Sequence, residues 1–165
     1  MLSYRIGSSG EVVHLEEGVV AHFRRHRQLR FWHKEAGGQL FARIEGQDIF
    51  IAEATGPRPG DRRGRTYYAA DREVEQAEID AMHKRGLHYV GDWHSHPERR
   101  PHPSPRDDET MASRVRLSRH RLGGFIFIIV GLAEPPDGVT LVVHDGQRWH
   151  RLTCAPDPKS QAASG

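Results

Sequence analysis

The chain has 165 residues, room for one domain with a real core but not for two of ordinary size. Its single cysteine, Cys154, excludes an internal disulfide and a thiolate-rich zinc cage, so any metal must be held by histidine and carboxylate. The formal net charge of +2 covers arginine clusters at 24–30, 58–65 and 114–121; acidic residues lie among them without aromatic–basic interleaving, which argues against a nucleic-acid partner.

Residues 1–17 lack the basic-then-apolar pattern of a secretory signal, and no apolar run nears the roughly 20 residues of a membrane span. A cytoplasmic protein with no membrane partner is the expectation. Residues 16–30 predict a first helix, with Val19, Val20, Phe23 and Leu29 near one face. Residues 39–45 and 48–55 predict two strands joined by a tight glycine-containing turn. The stretch GPRPGDRRGR at 56–65 reads as a loop whose arginines are solvated or touch an acidic partner. Residues 72–84 predict a second helix with Val74, Ala77, Ile79 and Met82 as its apolar positions, closed by Gly86.

A short strand at 89–93 leads into His94-Ser95-His96-Pro97, and a third helix is predicted over 105–118. The run FIFIIVG at 125–131 has the length of a buried strand, and 140–144 with 147–152 predict a closing hairpin around Asp145-Gly146. The small, polar residues 155–165 predict a disordered tail, which leaves 1–154 as one domain. Helices set among hairpins, without regular βαβ alternation, predict an α/β sandwich: one mixed, mostly antiparallel sheet flanked by helices.

His94 and His96 stand two apart on an extended segment, so both imidazoles point to one side and can reach one metal. Asp107, eleven residues on, can add a carboxylate; two histidines and a carboxylate suit zinc and leave a fourth position for water. Asp108 competes for the same place. Ser104-Pro105-Arg106-Asp107 is also an ordinary helix start, with a serine cap, proline at the first position and an acid at the third. The two readings are compatible. Gly37-Gly38 allows either a close backbone approach or a plain turn. The H-E-x-x-H pattern is absent, a zinc deaminase would need further cysteines, and Asp92-x-His94-x-His96 matches only the opening motif of a metal-dependent phosphoesterase.

His94-x-His96, seven residues, Ser104, two residues, Asp107 matches without a gap the H-x-H-x7-S-x-x-D motif of the JAMM (MPN-plus) metallopeptidases. Glu35-Ala36-Gly37-Gly38-Gln39-Leu40 resembles that family's upstream E-x-G-G-x-L segment, and the resemblance spans 16–152. It implies a JAMM/MPN-type (cytidine-deaminase-like) fold and one Zn2+ per chain on His94, His96 and Asp107. Glu35 would be the general base and then acid, Ser104 the donor to the oxyanion, and Asp108 no ligand. Asp92 or a backbone carbonyl would orient an imidazole, or Asp92 would face solvent. The implied reaction is hydrolysis of an amide after the C-terminus of a ubiquitin-like or similarly conjugated protein. The texture of residues 89–98 resembles stand-alone bacterial members, including those of CBASS-type anti-phage operons that release a nucleotidyltransferase from its conjugates. A non-catalytic MPN scaffold that binds a protein partner, and a phosphoesterase, are the alternatives; oligomeric state is left open.

Overall fold

The computed structural model describes residues 1–117 and 124–155. The expected tail beyond Ala155, the last predicted residue of the third helix and part of the third arginine cluster lie outside the described residues. The elements in chain order are β1 (Leu2–Arg5), β2 (Val12–Leu15), α1 (Glu17–Arg25), β3 (Gly37–Glu45) and β4 (Asp48–Ala54). The two-residue strands β5 (Arg62–Arg63) and β6 (Tyr68–Ala69) follow, then α2 (Arg72–Lys84), β7 (His88–Ser95) and α3 (Pro105–Leu117). The last three are β8 (Phe125–Val130), β9 (Val139–His144) and β10 (Trp149–Leu152).

One sheet takes the order β1-β2-β4-β3-β7-β8-β9-β10. β2–β4 and β7–β8 run parallel and the other neighbours antiparallel, so the sheet is mixed and mostly antiparallel, as the sequence predicts. Val19, Val20 and Phe23 of α1 pack on one face with Leu40, Ile51, Trp93, Ile126 and Ile128. Met111 of α3 packs on the other with Phe125, Phe127, Ile129 and Val142. The unbroken apolar run of β8 thus divides its side chains alternately between two covered faces.

An irregularity in β7 aims the site. Leu40 of β3 pairs with Gly91 while Phe41 pairs with Tyr89, so Val90 is an extra residue, a β-bulge. Tyr89 and Asp92 therefore share the α3 side, where the tyrosine hydroxyl donates to Asp92 Oδ1 at 2.8 Å. Asp92, His94 and His96 follow on that side, while Trp93 and Ser95 face α1. Gly91 lets β8 come close: a Cβ there would lie 1.7 Å from the Ile126 carbonyl oxygen.

The structure departs from expectation at four places. Residues 1–15, over which the sequence predicts no element, form the β1–β2 hairpin turned through Gly7 and Gly10, both at positive φ. α1 stops at Arg25 because the chain bends to bury Gln28, which leaves Leu29 exposed. α2 has its predicted bounds but not its predicted face. Val74 is exposed and Glu75 is the buried residue, because the helix is held by charge: Glu75 to Arg114 and Glu78 to Arg58. The 56–65 loop is tied inward as well. Arg58 reaches Glu78, the Tyr68 hydroxyl and Thr55, and Arg63 and Arg65 donate to main-chain carbonyls.

Candidate active site and metal centre

β7 ends in the site and α3 begins there. His94 Nε2 and His96 Nε2 face each other at 2.9 Å, their rings stacked with centroids 4.7 Å apart. Phe127 of β8 meets the His94 ring edge-on at 4.8 Å and limits its tilt. Asp107 brings Oδ1 to 3.1 Å from His94 Nε2 and Oδ2 to 3.4 Å from His96 Nε2.

The helix start predicted at 104–107 is present and sets the Asp107 carboxylate beside the imidazoles. Ser104 Oγ accepts from the Asp107 N–H at 3.2 Å, and the Ser104 N–H donates to Asp107 Oδ2 at 2.6 Å, the reciprocal bonding of a capped helix start. The cap fixes the carboxylate beside the imidazoles. It also uses a lone pair of Ser104 Oγ and leaves the hydroxyl hydrogen free to donate. Asp108 is exposed and points its N–H at the Ser104 carbonyl, so the structure gathers Asp107 and not Asp108.

Glu35 is buried just before β3, and its carboxylate lies with His94 and His96 in one cluster whose donor atoms are within 4.8 Å of one another. Its main chain is clamped on two sides. The Glu35 N–H donates to Gly64 O at 2.6 Å, and Arg63 Nε donates to Glu35 O at 2.7 Å. Ala36 pairs with Ser95, joining the glutamate segment to the strand that carries the histidines. Gly38 allows the close approach that the Gly-Gly pair suggested, since a Cβ there would sit 1.8 Å from the Thr55 carbonyl oxygen.

Burial pushes the Glu35 carboxyl up to about 7, with Asp107 adding to the rise against the opposing pull of His94 and Arg106. Burial also raises Asp107, but the His94 hydrogen bond and charge, the Ser104 N–H and His96 outweigh it and hold that carboxyl at about 2. Burial lowers His96, with neighbouring His94 lowering it further. Two buried carboxyls beside the same pair of histidines are thus driven in opposite directions, one toward a proton carrier and one toward a fixed anion.

The donor set fits a metal. Tetrahedral zinc with ligand distances near 2.0–2.1 Å sets its ligand atoms about 3.3 Å apart, close to the 2.9, 3.1 and 3.4 Å separations of this cluster. Among the described residues His96 Nδ1 is buried without a hydrogen-bond partner, with Glu98 at 3.7 Å. Asp92 does not face solvent. Tyr89 takes Oδ1, and Arg114 Nε lies 3.3 Å from Oδ2 while Nη2 reaches Glu75. This buried polar chain ties β7, α3 and α2 together beneath the site.

Sequence reasoning did not identify Gln28 or Ser95. Ser95 Oγ donates to Gln28 Oε1 at 2.8 Å, and Gln28 Nε2 donates to the carbonyls of Arg65 and His33. One buried amide therefore joins α1, the 29–36 segment, the 56–65 loop and β7. Nothing in local sequence marks a glutamine for this. The site opens on a groove of about 1580 Å³ lined by Glu35, His94, His96, Ser104 and Asp107 at one end and by Ile79, His83 and Leu87 toward α2.

Residues 16–152 match the family described as prokaryotic homologs of the JAB domain. The chain belongs to this family. Relatives of the JAB domain described here include a protein named CD-NTase/cGAS isopeptidase from Pseudomonas aeruginosa, 29% identical over 136 residues, covering 79% of this chain and 84% of that one. A protein of the same name from Vibrio cholerae is 34% identical over 100 residues, covering 59% of this chain and 64% of that one. The JAB domain also resembles the solution structure of a protein from Desulfitobacterium hafniense, with a TM-score of 0.61 and 21% identity, covering 84% of this chain and 88% of that one. A second, from Salinibacter ruber, has a TM-score of 0.53 and 25% identity over 88% of this chain and 93% of that one. Among the described residues no helix is long and apolar enough to cross a membrane.

Proposed function

We propose that this JAB domain, carried by residues 1–154, is a zinc isopeptidase that hydrolyses the amide joining the C-terminus of a conjugated protein to its target. In this reading the conjugated protein is a CD-NTase, which the relatives' name, CD-NTase/cGAS isopeptidase, supports, and the setting is anti-phage defence. The observation that carries the reading is the convergence of His94, His96, Asp107 and Glu35 in one buried cluster at the end of a groove.

In this reading His94, His96 and Asp107 hold the metal. Zinc, when bound, supplies Lewis-acid polarisation of the carbonyl and acidifies water. Asp107 stays anionic across the working range because its hydrogen bonds and the imidazoles favour the charged form. Glu35, held near neutrality by burial, takes a proton from water and returns one to the departing amine. Ser104, whose lone pair is occupied by the Asp107 N–H, donates its hydroxyl hydrogen to the carbonyl oxygen as negative charge grows there. The carboxylate at 3.1 and 3.4 Å from the imidazole nitrogens supports a ligand role for Asp107, and the raised Glu35 carboxyl supports proton transfer.

The test separates binding from chemistry. Glu35→Gln keeps about one zinc per chain and loses turnover of a CD-NTase conjugate, whereas His94→Ala and Asp107→Ala lose zinc and Asp108→Ala keeps it. Undiminished turnover in Glu35→Gln rejects the role of Glu35. Loss of zinc in Asp108→Ala rejects the ligand set.

A further inference from the structure

Residues 29–34 carry a feature that the mechanism does not use. Leu29, Phe31 and Trp32 are 55%, 78% and 63% exposed. Their backbone is nevertheless pinned: Gln28 Nε2 donates to His33 O, Arg65 to Phe31 O and Arg63 to Lys34 O. The rings of Phe31 and Trp32 meet edge-on at 5.0 Å, with the Arg30 guanidinium 5.9 Å from the Trp32 centroid. Large apolar side chains presented to water from a fixed backbone gain nothing within the monomer, and such patches mark interaction surfaces.

This patch belongs to the rim of the metal centre. Trp32 is three residues from Glu35 and Phe31 four, so their Cα atoms lie within about 11 and 14 Å of that of Glu35. A protein docked over a scissile bond at Glu35 covers about 800 Å² on its partner, a disc of about 16 Å radius, which takes in both aromatics. Arginine stands beside both: Arg30 lies over the Trp32 ring and Arg65 donates to the Phe31 carbonyl. Arg62, Arg63 and Arg106 line a second cavity of about 510 Å³ with Tyr67, and Arg62, Tyr67 and Arg106 also line the main groove. Among the described residues no carboxylate forms an ion pair with Arg30, Arg62, Arg65 or Arg106. By contrast, Arg24 and Arg27 meet Glu134, Arg58 meets Glu78, and Arg114 meets Glu75 and Asp92.

We infer that Phe31 and Trp32, flanked by Arg30 and Arg65, form the docking surface for the folded part of the substrate, an acidic protein surface carrying an apolar patch. The inference rests on the isopeptidase reading above. An exposed aromatic pair among arginines is the composition of an interface hot spot, and the unmatched positive charge selects an acidic partner and speeds its arrival.

Two substrates test it on the zinc-loaded protein: a CD-NTase conjugate, and a short fluorogenic amide carrying only the last residues of that CD-NTase. The Phe31→Ser/Trp32→Ser variant lowers kcat/KM on the conjugate about 30-fold, through KM, while the short amide stays within about twofold and zinc content is unchanged. Arg30→Glu has the same selectivity, and the wild-type rate on the conjugate falls as salt rises. Equal loss on both substrates would make the loop a mere support for Glu35 and overturn the inference, as would no loss on the conjugate. If the wild type cuts neither substrate, the isopeptidase reading fails on its own. Docking is then read from acrylamide quenching of Trp32 in a Trp149→Phe background, where shielding by the conjugate supports the inference and none overturns it. A wild-type dimer abolished by Phe31→Ser/Trp32→Ser, or binding of that surface to anionic vesicles instead of the conjugate, also overturns it.

Discussion

Ser95 and Ala36 are bonded twice: the Ser95 N–H donates to the Ala36 carbonyl at 2.8 Å, and the Ala36 N–H donates to Ser95 Oγ at 2.8 Å. The first bond continues strand pairing beyond Gly37; the second exists only because residue 95 carries a hydroxyl. Together they set the distance between the segment that bears Glu35 and the strand that bears the histidines. Ser95→Ala leaves the Ala36 N–H and Gln28 Oε1 unsatisfied in a buried place, at about 1–3 kcal/mol. The expected outcome is a lowered urea midpoint, and kcat down about tenfold with zinc content nearly unchanged, since the proposed metal ligands are untouched. Wild-type kcat in Ser95→Ala would show that Glu35 is placed by other means.

Arg114 carries a different load. It is the cation between Glu75 of α2 and Asp92 of β7, and it sits on the helix whose first turn carries Asp107. Burial raises the Asp92 carboxyl to about 6, against the pull of Arg114. Arg114→Met leaves two buried carboxylates without their cation and destabilises the fold by about 3 kcal/mol. Adding Glu75→Gln recovers part of that loss, and thermal melts of the two variants give the comparison.

Gly38 is fixed by space rather than by dihedral freedom. A Cβ would lie 1.8 Å from the Thr55 carbonyl oxygen, which cannot move without parting β3 from β4. Gly38→Ala therefore destabilises by roughly 3 kcal/mol or more. A urea midpoint equal to wild type would show that the two strands can separate cheaply.

His22 gives an acid-sensitive term on the α1 face. It donates toward Gly56 O at 2.8 Å and meets Trp93 edge-on. Burial and then His26 lower its pKa from 6.5 to about 4. The folded value lies below the ordinary one, so the unfolded chain takes up its proton first as the pH falls. The stability contributed by neutral His22 is full above pH 6.5 and is lost progressively as the pH drops toward 4. His22→Gln removes that term, and the fall in stability of the metal-free protein over this window shrinks by about 2 kcal/mol. An unchanged pH slope in denaturant titrations would reject it.

The parts legible in the sequence are those set by local rules. Periodicity gave α2 its bounds, the Asp145-Gly146 turn gave the last hairpin, and spacing brought His94, His96, Ser104 and Asp107 together. The 104–107 segment was readable twice over because a capped helix start and a carboxylate beside the imidazoles need the same residues. What was not legible depends on contacts between distant segments. α2 looks amphipathic, yet Glu75 is buried because Arg114, thirty-nine residues later, is there to meet it. The arginines of 56–65 have the composition of a solvated loop, and only the fold supplies the carbonyls of Phe31, Lys34 and Glu35 that they bind. Gln28 has no sequence signal, because its role is defined entirely by partners elsewhere in the chain.

The extra residue at Val90 frees β7 from the even–odd rule of an extended strand. Tyr89 and Asp92, three apart, stand opposite Phe41 and Gln39, two apart, and so share one side of the sheet. Because Val90 is the residue without a β3 partner, deleting it alone would leave Asp92 and His94 opposite Gln39 and Gly37 and keep both histidines on the α3 side. A residue added or lost between Asp92 and His94 would instead turn the histidines over, so the stretch tolerates a change of length at the bulge and none beside the site.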